Sequence, residues 1–160
     1  MGELFIILIV LAGGFALVQA VKIKDSFARS INLIFAVSIR LTFVPITQLS
    51  AARFSLFIIG CLTVVLYAFS DGTFSTLKKT TLAGMGAIQL GAMLFFAMNW
   101  PGTALWFYAC TLTVIAYIFL VTKNIRAYQI EIGFLTVLMV DALIKVMMVF
   151  SSNGEIFTKG

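Results

Sequence analysis

The sequence predicts an all-α protein: a polytopic transmembrane helical bundle of six spans, with residues 1–160 forming one transmembrane domain and both termini on the non-cytoplasmic side. Three observations carry that prediction. Hydrophobic residues fill 62% of the 160 positions and charged residues only 11%, whereas soluble domains carry about 25% charged residues. One core of this size cannot hide so much apolar surface, so lipid is the solvent that fits. The apolar residues fall in runs of about 18–20, the length that crosses a hydrocarbon layer about 30 Å thick. The bases gather in short polar stretches between alternate runs, the bias of cytoplasmic loops beside anionic lipid.

The first run covers residues 4–21. Within it Ala12, Ala16 and Ala20 recur every four residues beside Gly13 and Gly14, a spacing that lets another helix come close. Val18-Gln19-Ala20 faintly resembles a leader-peptidase site, but no basic stretch precedes it and Glu3 is the only early charge. The run is therefore expected to stay in place as a span. Lys22, Lys24 and Arg29 follow in the stretch KIKDSFARS.

The second run, residues 31–49, holds Arg40 at its middle and Pro45 beyond. It either spans or lies in the interface, and charge placement separates the two. With six crossings, Lys22, Lys24, Arg29, Lys78, Lys79, Lys123 and Arg126 fall inside, and only Arg53 and Lys159 outside. With five crossings, the runner-up, Lys78, Lys79, Lys123 and Arg126 move outside. The positive-inside bias favours six. Arg40 must then find a partner, because a charge facing lipid at mid-depth costs about 2.5–3.5 kcal/mol on insertion scales.

The third run, residues 54–70, follows a tight outer hairpin at 48–53; Asp71-Gly72 then turns the chain into the inner loop that carries Lys78 and Lys79. In the fourth run, residues 82–99, Ala83, Ala87 and Gly91 make a second stripe of small residues, and Gln89 can bond across helices. Trp100-Pro101-Gly102 is an outer turn, and Trp100, Trp106 and Tyr108 suit an aromatic interfacial belt. The fifth run covers 104–121, and Lys123 with Arg126 forms the third basic inner loop. Glu131, at the inner surface, is expected to pair with one of those two bases.

The sixth run, residues 130–150, contains Asp141 and Lys145 four apart on one helix face, the acid N-terminal to the base. At a rise of about 1.5 Å per residue, Arg40 and Asp141 both come near the membrane midplane. An Arg40–Asp141 ion pair with Lys145 one turn further out is the expected cluster. It either lines a path for an ion, proton or polar solute, as intramembrane charges often do, or is a structural pair that orients two helices. The carbonyl freed by Pro45 would join Thr47 and Gln48 in a polar patch toward the outer side.

Several classes are excluded. The chain has no histidine, and its two cysteines, Cys61 and Cys110, stand alone in apolar runs. That argues against a metal site, a haem or any other cofactor. No nucleophile–base set or pair of mid-depth carboxylates suggests catalysis. The net charge of +5 is accounted for by loops beside lipid, not by nucleic acid. The expected role is non-enzymatic: an oligomeric or complex-forming subunit, with the lipid bilayer as its solvent, that helps move an ion or small polar solute. The alternative is an assembly, regulatory or immunity-type subunit that docks another membrane protein through its small-residue stripes. A bacterial inner membrane suits the charge bias.

Overall fold

The computed structural model describes residues 2–43 and 47–157, with the side chains of 47–50, 123–124 and 152–157 outside the description. Six helices follow one another: α1 (Gly2–Lys22), α2 (Ser26–Leu41), α3 (Thr47–Ser70), α4 (Thr76–Ala97), α5 (Thr103–Asn124) and α6 (Ile132–Phe157). A 3-10 turn, Ile125–Tyr128, leads into α6, and there is no strand among the described residues. Five of the helices, all but α2, are long and apolar enough to cross a membrane.

Each helix packs against its neighbours in sequence, and α6 closes the ring against α1. Because α6 also touches α2 and α4, it is the most enclosed element: 61% of its apolar stretch is buried, against 22% for α1 and α5. The outward faces of the other helices carry Leu11, Val21, Leu66, Leu105 and Ile115, all exposed. Apolar faces of this extent are compatible with a lipid surround.

α2 differs from the expected second span in register. It begins early, because the Asp25 carboxylate accepts from the Phe27 and Ala28 amides at 2.8 and 3.2 Å and caps it. It stops at Leu41, with Thr42 as its C-cap; Pro45 lies outside the described residues. α3 begins at Thr47, so the expected hairpin at 48–53 is helical and Arg53 sits within α3.

With 16 residues α2 is about 24 Å long, and it lies alongside α3. Tyr67 donates to Asp25 at 3.3 Å at one end of the α2–α3 pair, and Ser38 donates to the Arg53 carbonyl at 2.9 Å at the other.

The stripe on α1 is consumed inside the protein: Ala12, Ala16 and Ala20 are all buried. On α4 the expected stripe is corrected. Ala87 is exposed and Ala83 and Gly91 only half-buried, since the inner face of α4 is set by Leu82, Met85, Gly86, Gln89 and Ala92. Gly91 lies under the Trp106 ring of α5, and close approach to α3 is made by Gly86. A Cβ there would stand 3.1 Å from the Cys61 carbonyl oxygen. The C-terminus of α4 closes as the sequence suggested. Asn99 takes the left-handed conformation (φ 50°), and the Trp100 amide donates back to the Phe95 carbonyl at 3.0 Å.

The three basic connections meet at one end. Tyr67, near the end of α3, reaches both Asp25 in the α1–α2 connection and Glu131 just before α6 (3.1 Å). Lys78, in the first turn of α4, pairs with Glu131 at 2.7 Å and donates to the Ala127 carbonyl at 3.1 Å. This "basic end" fixes the direction of every helix.

Candidate functional site

The site is built around α6. Asp141 and Lys145 stand one turn apart and form an ion pair through Asp141 Oδ2 and Lys145 Nζ. Lysine has three protons to give, and a second goes to Gln89 Oε1 of α4 at 2.7 Å. Gln89 is fully buried, and its amide nitrogen donates to the Leu138 carbonyl on α6 at 2.9 Å. The same Oε1 accepts the weak thiol bond of Cys110 from α5 at 3.8 Å. One glutamine thus ties α4, α5 and α6 together around the ammonium. The Phe57 ring of α3, with its centroid 5.5 Å from Lys145 Nζ, faces the cation from another side.

Of this cluster Asp141, Lys145 and Phe57 line a cavity of about 300 Å³ to which all six helices contribute. Ala12, Ser38, Phe57, Met93 and Phe107 come from α1 to α5, and Asp141, Ile144 and Lys145 from α6. Lys145 is buried, while the Asp141 carboxylate keeps 22% of its surface. Arg53 of α3 lines the same cavity and is half-buried. The cavity occupies the half of the bundle away from the basic end. Toward the basic end the interior is filled by Ile31, Phe35, Leu82, Phe134, Leu135 and Leu138, none more than 1% exposed.

The expected Arg40–Asp141 pair is not formed. Arg40 is exposed and lines a separate cleft of about 150 Å³ between α1 and α2, beside Val10, Gly14 and Phe43. Depth along α2 is only half of a position. The inward face of that helix is set by Ile31, Asn32, Phe35, Ser38 and Ile39, and Arg40, one residue on, is turned about 100° away. Asp141 takes its partner from its own helix. Gln89, expected only as a cross-helix bond, is the third member of the cluster. The Thr47 and Gln48 side chains lie outside the described residues.

Two features were missed in the sequence. Arg53 appeared to be a loop residue, and only the early start of α3 brings it to the cavity. The second is a polar knot at the basic end. Glu131 is fully buried, pairs with Lys78 and not with Arg126, and accepts from Tyr67; the Lys123 side chain lies outside the described residues. Lys78 Nζ also lies 4.3 Å from the centroid of the Phe74 ring. Burial pushes the neighbouring Tyr128 phenol above its ordinary pKa. The pairing of an acid at 131 with a base at 78 leaves no trace in spacing, because it joins separate connections.

A charge pair on the wall of an apolar cavity can hold the polar head of a small molecule while the other walls hold its body. No protein-family model, curated protein or solved structure matches the chain.

Proposed function

We propose that the protein is an integral membrane protein of six crossings that takes a small solute into this cavity, against the Asp141–Lys145 pair, as a step in moving it across the membrane. The carrying observation is the coincidence of the buried pair with the cavity that all six helices line. Intramembrane ionisable groups facing a cavity mark solute and ion routes more often than lipid contacts.

The sidedness follows from the basic end. With that end at the cytoplasmic face, both termini and the cavity's half of the bundle belong to the opposite face. The packed core beneath the pair supports a carrier that must rearrange to pass its solute on, in preference to an open pore. Of the two stripes the docking-subunit reading needs, Ala12–Ala16–Ala20 is used within the chain, while Ala87 of the α4 stripe is exposed. Assembly into an oligomer or with another membrane protein is compatible with this role, and no enzymatic step is part of it.

Thiol labelling tests the reading. Single cysteines are placed by Asp141→Cys, Pro101→Cys and Lys79→Cys after Cys61 and Cys110 are replaced by alanine. A charged, membrane-impermeant reagent should label 101 and 141 from one side of the vesicle and 79 from the other. A residue 141 that is sealed from both sides, with the two markers labelled, ends the solute reading. Markers labelled from the same side end the six-crossing topology.

A further inference from the structure

We propose that the solute is a small lipophilic carboxylic acid, its carboxylate held by Arg53 and its apolar body by the aromatic walls. This rests on the reading of the cavity as a solute site. The argument begins with charge. Two cations and one anion line the cavity: Lys145, Arg53 and Asp141. Asp141 is taken by Lys145. Arg53 is half-buried, and no carboxylate pairs with it among the described residues. The cavity therefore carries one unmatched positive charge in surroundings where a counter-charge is worth far more than in water.

A guanidinium meets a carboxylate edge to edge with two parallel hydrogen bonds, so an acid supplies both the charge and the geometry. An ammonium ligand would be repelled by Arg53 and Lys145, and the charge of Asp141 is already matched by Lys145. A sugar or other polyhydroxylated solute would need several unspent polar groups. The two hydroxyls available, Ser38 and Thr42, already donate to the Arg53 carbonyl at 2.9 Å and the Ser38 carbonyl at 3.3 Å.

The remaining wall sets the body of the ligand. Phe54, Phe57, Phe96 and Phe107 offer aromatic faces, and Met93 and Met148 offer side chains that adapt to an irregular shape. A volume of about 300 Å³ is at the small end of ligand sites. That favours a compact acid arriving from water over a long-chain acid from the bilayer.

The experiment uses the full chain in detergent micelles and isothermal titration with four probes. These are 4-phenylbutyrate, 4-phenylbutylamine, 4-phenylbutanol and oleate. Phenylbutyrate should bind at least about tenfold more tightly than the other three, the factor expected for a charge-assisted bidentate contact. Arg53→Gln should remove that advantage and leave the affinity for phenylbutanol unchanged. Arg53→Lys, which keeps the charge and loses the fork, should fall between; it also serves as the readout if Arg53→Gln does not fold. Equal or tighter binding of the amine or the alcohol overturns the acid, and tighter binding of oleate overturns its small size. If no probe binds while Asp141→Cys still labels, the acid assignment falls alone. If Asp141→Cys is sealed, the cavity reading falls with it.

Discussion

Lys145 on α6 and Gln89 on α4 are joined by a 2.7 Å hydrogen bond, and neither side chain is more than 7% exposed. The ammonium is therefore held by two partners, a carboxylate one turn back on its own helix and an amide oxygen from a neighbour. Removing one partner of such a buried pair costs more than the pair contributes, because a charge is left unmatched. Lys145→Met should destabilise the protein by about 3 kcal/mol, and Asp141→Leu with Lys145→Met should return to within about 1 kcal/mol of the native chain. Unfolding in mixed micelles by a denaturing detergent measures both. A single variant as stable as the native chain would show that the pair holds nothing together.

The knot at the basic end makes a parallel prediction. Glu131 is fully buried, and Lys78 is its 2.7 Å counter-ion. Lys78→Met should cost about 3 kcal/mol. Lys79→Met, one residue on, should stay within about 0.5 kcal/mol, as surface changes do. Glu131→Gln in the Lys78→Met background should recover most of the loss. The same unfolding assay compares the three, and equal effects at 78 and 79 would argue against the knot.

Two glycines in helices separate close packing from composition. A Cβ on Gly133 of α6 would stand 2.2 Å from Asn32 Oδ1 and 2.9 Å from the Gln19 Cβ, whereas one on Gly14 of α1 would meet nothing within 4 Å. Gly133→Ala should therefore cost about 1–3 kcal/mol through overpacking. Gly14→Ala should leave stability unchanged or raise it by up to about 1 kcal/mol, the helix propensity gained. Shortening Asn32 to alanine should relieve the first variant. Thermal unfolding followed by circular dichroism reads all three.

Asp71, in the α3–α4 connection, accepts from the Thr73 hydroxyl at 2.7 Å and the Thr73 amide at 2.8 Å. These two bonds, with Lys78 and Lys79 adding charge, hold its carboxyl below the usual carboxylate range. Since the folded value is depressed, the contribution to stability is present above the ordinary carboxylate pKa. It is lost as pH falls through the folded one. Carbon-13 NMR of the labelled carboxyl should show Asp71 titrating below the usual carboxylate range, and Thr73→Val should bring it back up. An unchanged titration would mean that the turn does not hold the carboxylate.

By itself the sequence determined the elements. Apolar runs separated by basic stretches predict long helices in lipid, because only helices satisfy every backbone group there. Asp141 and Lys145 were legible as one unit, since a separation of four on a helix fixes both depth and direction. What lay beyond reach was every relation that needs the azimuth of one helix against another. Arg40 has the right depth to meet Asp141 and the wrong face of α2. Ala83 and Ala87 have a packing spacing, yet Gly86 makes the close approach to α3. Arg53 lines the cavity because α3 already begins at Thr47. Gln89 meets Lys145, and Glu131 meets Lys78, because six helices close into a ring. Local spacing carries the geometry of one helix. Partners on different helices are chosen by rotation and register, which are settled only when all the faces are packed at once.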